Sequence, residues 1–252
     1  MKPVNNIHPT AIVSKKAEIG NNVTIGPFTI IYDNVVIGEN TVIEAYCEIG
    51  YPTKLAEGDA LVIGKNSLIR SHSIFYQGSS FDEGMTTGHH VIIRENSKAG
   101  LDLKLGSLVD FQGGCTLGDY VRLYSNVHIA KHSKIGSFVW IFPHVVLTND
   151  PCPPSNQLFG VTVEDYAVIA TMSVVLPGVN IGTHSLVASH SMVRNDVQPY
   201  QVVAGLPARK ICNASKIKLK DGSGGDAYPW PRHFHRGYPT CVVDDWIKEY
   251  QQ

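Results

Sequence analysis

The sequence predicts an all-β parallel β-helix of hexapeptide repeats, and three observations predict it. An aliphatic or aromatic residue recurs at every sixth position from Ile7 to Val193, with two interruptions. The residue just after it is often glycine, as at Gly20, Gly26, Gly38, Gly50, Gly64, Gly106, Gly118, Gly136 and Gly182. The fifth position of the hexad is small or β-branched, as at Ala17, Val23, Thr29, Cys47, Ser67, Ser73, Val121 and Val139. A fixed hexapeptide period is the signature of a parallel β-helical solenoid. An amphipathic helix would repeat near 3.6 residues and an ordinary strand every second residue, and neither fits. One large and one small inward residue per hexad suit a narrow triangular interior. Three hexads close one coil, so residues 18 apart stack on one another.

The elements follow in order. The first run places Ile7, Val13, Ile19, Ile25, Ile31, Ile37, Ile43 and Ile49 inside. An insertion, residues 55–62, interrupts it. The second run holds one register from Ile63 to Leu147, lapsing at Thr87 and Ala99. A second insertion, residues 153–162, precedes the third run, Val163 to Val193. Residues 1–198 are therefore expected to be β-helix and 199–252 a C-terminal extension. The extension contains a Gly-rich linker (220–226), an aromatic stretch (228–239) and a tail, Val242 to Gln252, with Val243, Trp246, Ile247 and Tyr250 at helical spacing. A solenoid needs its open end capped, and the tail is expected to do so.

Composition limits the function. A chain of 252 residues with net charge −1 offers no basic face for nucleic acid. The five cysteines lack metal-ligand spacing, and Cys47 and Cys115 occupy the small inward position, as core thiols of a reducing compartment would. No segment approaches the roughly 20 apolar residues of a membrane span, and the N-terminal residues lack the apolar core of a signal peptide. A cytoplasmic protein without membrane insertion is expected.

Glycine-bearing corners on rigid coils put polar residues in columns. His72, His90, Asn126 and His144 share one column at 18-residue spacing, with Leu108 its apolar member. Parallel columns carry Asn96, His132 and Asp150. Such a column can line a cleft or be solvated corner polarity. Zinc needs ligands converging on one point, and these imidazoles are a coil or more apart, so no metal is expected. Loops on a scaffold often carry binding groups; the second insertion follows a polar Thr148-Asn149-Asp150 and is stiffened by prolines.

Several stretches resemble a known family. IHPTAIV and AEIGNNVTIGPF near the start are similar to the sugar-nucleotide acyltransferases of lipid A synthesis. TGHHVIIREN (87–96), LTND (147–150) and VVAGLPARKI (202–211) resemble the nucleotide-sugar N-acetyltransferases. Together they identify residues 7–211 as similar to the left-handed β-helix, hexapeptide-repeat acyltransferases. The resemblance implies the left hand of the helix, an exception to the usual right-handed crossover. It implies a homotrimer with sites between subunits and an acyl donor on a phosphopantetheine arm along the C-terminal coils. Ala170 and Ala188, 18 apart, would floor a groove for that arm. Arg209 and Lys210 match the family's phosphate-contacting residues after the GLPA turn.

The resemblance also bears on mechanism. The lipid A enzymes carry a general-base histidine in a segment like NAHIAHD, and the matching stretch here is SNVHIAKHS (125–133), with Lys131 at the base position. A one-residue slip would restore His132. A hydroxyl nucleophile needs a base near neutral pH, whereas a neutral amine attacks a thioester unaided. The expectation is therefore an acetyl-CoA-dependent N-acetyltransferase acting on a nucleotide-linked amino sugar. Asp150 is expected to orient the amine, with Glu95, Asn96, Asn126 and Asn149 binding substrate. His90, His128 and His144 are candidate proton acceptors. Two alternatives stand beside this: an acyl-carrier-protein- or CoA-dependent O-acyltransferase with a histidine base, and a non-enzymatic or carbonic-anhydrase-like β-helix.

Overall fold

A computed structural model describes residues 4–56 and 58–250. Glu57 of the first insertion, residues 1–3 of the β-helix and Gln251–Gln252 of the tail lie outside the described residues. The chain is a left-handed parallel β-helix of about 11 turns with one short C-terminal helix. Its mostly two-residue strands build three walls with, among the described residues, 12, 10 and 9 strands. Wall 1 runs from Asn6–Ile7 to Gln201–Gly205 and ends on Ala208–Asn213; wall 2 runs from Ile12–Val13 to Met192–Val193; wall 3 runs from Glu18–Ile19 to Asn180–Ile181. The one-coil register is kept from Asn6↔Thr24 onward, and strands resume it across both insertions, as in Val42↔Leu68 and Trp140↔Val168. Both insertions leave at the same corner, between walls 2 and 3.

The two inward positions make the core. Val23, Ile25, Ile31, Ile37, Ile43 and Ile49 are at most 1% exposed, and burying each such side chain contributes about 1.5–3 kcal/mol. The small inward hydroxyls are satisfied across coils: Thr29 donates to the Glu44 carbonyl at 2.6 Å and accepts from the Cys47 amide at 3.1 Å. The two lapses of the second run have physical uses. Thr87 is buried and accepts the Arg70 amide at 2.9 Å. Ala99 pairs with Phe81, so a small side chain compensates for a large neighbouring ring. Cys47 and Cys115 are buried core thiols, and burial pushes both up to about 11.

The corners separate two duties that the sequence pattern merges. The residue in left-handed conformation is the fourth of the hexad, usually not glycine: Asn22, Phe28, Asn34, Asn40, Tyr46 and His72 have φ between 56° and 62°. The glycines after the inward residue are needed for space instead. A Cβ on Gly38 would lie 2.3 Å from the Lys65 amide nitrogen of the next coil, and one on Gly64 2.5 Å from the Asp82 carbonyl carbon. Of those glycines only Gly50 has positive φ, at 83°. We expect Gly38→Ala to lower stability by about 1–3 kcal/mol, as overpacking does, read as a reduced denaturant midpoint.

Stacked fourth positions form ladders of rings. Tyr120, Phe138, Tyr166, His184 and Tyr200 stack at the corner between walls 3 and 1, with successive centroids 4.7–5.1 Å apart. Across the opposite corner, Phe28, Tyr46, His72 and His90 stack at 4.8–5.1 Å. The C-terminal segment covers the first ladder. Trp246 of the helix Thr240–Tyr250 is 2% exposed and donates to the Tyr166 hydroxyl at 3.1 Å; Trp230 packs beside Val168. The tail thus braces wall 1 and does not close the open end, and Ile247 of the expected apolar stripe stays 38% exposed. The solenoid also outruns position 198, because Gln201–Gly205 pairs in parallel with Leu186–Val187.

His184 lies within that braced ladder, 6% exposed, with its Nε2 3.3 Å from the Tyr250 hydroxyl. Burial pushes it down to about 4, against a smaller opposing pull from Asp165. The unfolded chain therefore takes up the proton first. The stabilisation is full above about pH 6.5 and is lost as pH falls toward about 4. A pH series of unfolding free energies should show this acid loss, and His184→Gln should flatten it.

Candidate active site

The outward column of wall 2 is largely apolar: Ile12, Ile30, Ile74 and Ile92 before the middle coils, with Glu48, bonded to the Tyr32 hydroxyl, between Ile30 and Ile74, and Val146, Val174 and Met192 after them. Between these runs stand Asp110 and His128, paired directly by the β-ladder. His128 Nδ1 lies 2.9 Å from Asp110 Oδ2, and both side chains are about one-third exposed. Gln112 donates to the same carboxylate at 3.2 Å. Burial raises the Asp110 carboxyl, but the hydrogen bonds from His128 and Gln112 and the charges of His128 and Arg94 outweigh it and hold it below its ordinary value. A carboxylate accepting from Nδ1–H fixes the ring's orientation and leaves Nε2 as the free acceptor. The pair has the form of an oriented general base.

Arg94, at the corner between walls 2 and 3, extends the cluster. Its guanidinium bonds Glu95 at 3.2 and 3.3 Å and lies 5.7 Å from the Tyr76 ring centroid. Glu95 is 2% exposed and pairs with Arg94 at 3.2 Å. Removing one partner of a buried pair strands the other. Arg94→Met should therefore lower the denaturant midpoint by the equivalent of about 3 kcal/mol, with Glu95→Gln in the same chain restoring most of it.

The other expected site residues are dispersed. His90, Asn126 and His144 lie on the corner between walls 1 and 2, at φ 57–62°, and the His90 ring stacks on His72. Asn96 uses its amide to pin the first insertion, donating to the Leu55 carbonyl at 2.9 Å. Asn149 reaches the Lys131 carbonyl at 3.5 Å. The expectation that Asp150 orients an acceptor amine is not supported. Its carboxylate accepts the Cys152 and Ser155 amides at 3.0 and 2.9 Å and the Ser155 hydroxyl at 2.7 Å, which ties the second insertion to the coil. These bonds, led by the Ser155 hydroxyl, hold it below the ordinary carboxylate value. Glu95, buried against Arg94, is likewise not presented to a ligand.

Ala170 and Ala188 do stack at the corner between walls 1 and 2, and Ala204 continues the column. Arg209 is in register with Ala204 on the closing hairpin, and Lys210 with Val203; both side chains are exposed beside a 220 Å³ cavity that Asn195 and Gln201 also line. Arg94, Asp110 and Gln112 were missed from sequence. Asp110 had a signal, since it precedes His128 by one coil. A groove of about 670 Å³ lies elsewhere, on wall 3 around Lys134, Thr162 and Glu164. It holds no pair of the kind that Asp110 and His128 make on wall 2. Among the described residues, no three His, Cys, Asp or Glu side chains gather as a metal site, and no helix is long and apolar enough to cross a membrane.

Comparison with known proteins agrees with the repeat. The family described as bacterial transferase hexapeptide (six repeats) matches residues 16–51. The acyl-[acyl-carrier-protein]–UDP-N-acetylglucosamine O-acyltransferase of Thermodesulfovibrio yellowstonii is 30% identical over 217 residues, covering 86% of this chain and 77% of the relative. That of Campylobacter concisus is 27% identical, covering 80% and 71%. Among solved structures, the Arabidopsis UDP-N-acetylglucosamine acyltransferase superposes with a TM-score of 0.65 at 20% identity, covering 82% of this chain and 74% of that one.

Proposed function

This chain belongs to the hexapeptide-repeat acyltransferases, and on that premise we propose that it moves an acyl group from a pantetheine thioester to a nucleotide-linked sugar with His128 as proton acceptor. The observation that carries this is the 2.9 Å pairing of His128 with Asp110 on an otherwise mostly apolar wall. His128 Nε2 takes the proton of the attacking group, the nucleophile adds to the thioester carbonyl, and the imidazolium returns the proton to the departing thiolate. Asp110 holds the ring and stabilises its cationic form.

The donor path follows the small-residue column. From the coil of His128, at Arg122, to that of Val202 is four wall-1 steps. Four strand spacings make about 19 Å, a span suited to an extended pantetheine arm with its phosphates near Arg209 and Lys210. We propose acetyl-CoA as donor and the amino group of a nucleotide-linked sugar as acceptor, because TGHHVIIREN, LTND and VVAGLPARKI resemble the nucleotide-sugar N-acetyltransferases. Here His128 meets the proton-accepting role that a protonated amino sugar also requires, so the case for an amine no longer rests on the lack of a base. A second reading is O-acyl transfer from acyl-carrier protein, favoured by the activity that both relatives' names carry. Both substrates of the first reading are metabolites of the cytoplasm, where we place the protein.

A homotrimer completes the picture. One chain supplies only one side of the His128 site. Wall 1 is covered by the chain's own tail, whereas wall 2 exposes Ile12 and Ile92 at 65% and 38%. A cyclic assembly brings one patch against a different one, and wall 2 of one subunit against wall 3 of the next satisfies that rule.

The test is kinetic. Thiol release should be measured with acetyl-CoA and with acyl-carrier protein, against nucleotide-linked amino sugars and their hydroxyl counterparts. His128→Asn should lower kcat by about 10²–10⁴-fold, and Asp110→Asn by less. Undiminished kcat in both variants would defeat the reading. Turnover only with the carrier-protein donor and hydroxyl acceptors would establish the second one.

A further inference from the structure

We propose that the cleft between wall 1 and the C-terminal segment binds a nucleotide, an aromatic base carrying phosphates. This deepens the reading of a nucleotide-linked acceptor and rests on it. The cleft, of about 300 Å³, is walled by Tyr124, Trp140 and Phe142 from the coils and by Tyr228, Trp230 and Phe234 from the tail. It joins a second hollow of about 340 Å³, with which it shares Tyr124, Trp140, Phe234 and Arg236, and which adds Lys104 and Arg122.

The two halves differ in chemistry. In the first, Tyr124 and Phe142 lie parallel, 4.9 Å apart, and Trp140 lies 6.2 Å from Phe142. Phe234 and Trp230 stand edge-on to Trp140 at 5.5 and 6.0 Å. Tyr124 and Phe142 stack face to face and turn their edges to the cleft, so a planar guest would meet ring edges there and could stack only on a face that Trp140 or the tail rings leave open; base–aromatic contact of this kind is sequence-tolerant. The second half is cationic. Arg122 is committed to Asp102, and Lys104 stands 3.6 Å from the same carboxylate. Arg236 is free: it lies 5.6 Å from the Phe234 ring centroid and joins none of the ion pairs among the described residues. Two cations against one Asp102 carboxylate, with Arg236 in addition, leave an unbalanced positive charge beside an aromatic slot. That is the complement of a nucleoside diphosphate.

Position connects the cleft to the chemistry. Tyr124 and Phe142 occupy the same corner column as Ala170 and Ala188. Tyr124 and His128 belong to one coil, four residues apart, so at most about 14 Å of chain separates them. Asn126 and His144 stand at the corner between. A base seated by Tyr124 would let the attached sugar turn that corner to His128.

The test uses the whole chain and its own tryptophans, since Trp140 and Trp230 line the cleft and Trp246 packs on Trp230. Fluorescence is titrated with UDP, ADP, CoA and phosphopantetheine lacking a nucleotide. A saturable change with UDP or ADP is expected, absent with phosphopantetheine. Arg236→Ala should weaken it about tenfold, the loss of one charge-assisted contact, and Tyr124→Ala should weaken it as well. Tighter UDP binding assigns the cleft to the acceptor; tighter ADP and CoA binding assigns it to the donor. No saturable change with either nucleotide at millimolar concentration, or affinities untouched in both variants, overturns the proposal. His128→Asn should keep the titration intact. Acyl transfer without nucleotide quenching would sink this inference alone, and quenching without acyl transfer would sink the functional reading alone.

Discussion

The fourth residue of each hexad turns the chain, and it does so in left-handed backbone. Such a conformation is uncommon for residues other than glycine. Beside it, the residue after the inward hydrophobe must be small, since a Cβ on Gly38 would lie 2.3 Å from the backbone of the following coil. The tight corner fixes the three flat walls and the one-coil stacking. It also aims six histidines, His72, His90, His132, His144, His184 and His190, along the corners and away from the walls. His72, His90 and His184 are rungs of ring ladders. Six of the eleven histidines therefore follow from corner geometry, and among the five that do not, His128 on wall 2 pairs with a carboxylate.

The tail is the second determinant. By lying along wall 1 it buries Trp230 and Trp246 and packs on the ladder from Tyr120 to His184. It covers the later coils of wall 1 and packs on neither wall 2 nor wall 3 among the described residues. The same segment supplies half of the aromatic cleft. A brace that stabilises one face thus also limits how copies can meet and forms a surface that the coils alone lack.

The architecture was legible because a β-helix writes each contact into a fixed spacing. The inward pair, the insertions at one corner and the Ala170–Ala188 column all follow from counting by six and eighteen. The site was legible only in part, for the same reason. Counting places residues on columns but does not say which columns exchange hydrogen bonds. His128 was noticed, while Asp110 was passed over although it sits one coil earlier. Asp150 and Asn96 looked like ligand-binding groups, yet their oxygens and amide hold the two insertions to the coils. The tail's path depended on Trp140 and Tyr166 presenting rings outward from the solenoid, which no period in the tail itself reveals.

The proposed chemistry asks little of the scaffold. A thioester is already activated, so the protein must align an acceptor and dispose of one proton. An oriented imidazole does the second task for a hydroxyl or for an ammonium group. Discrimination then falls to whatever positions the sugar relative to Nε2. On the proposed reading the Asp110–His128 pair receives the proton, and the lining between Tyr124 and His128, with Asn126 and His144 at the corner, is where the choice of acceptor would be made. Polar groups matched to one acceptor reject its analogue strongly, because a mismatch leaves them unpaired.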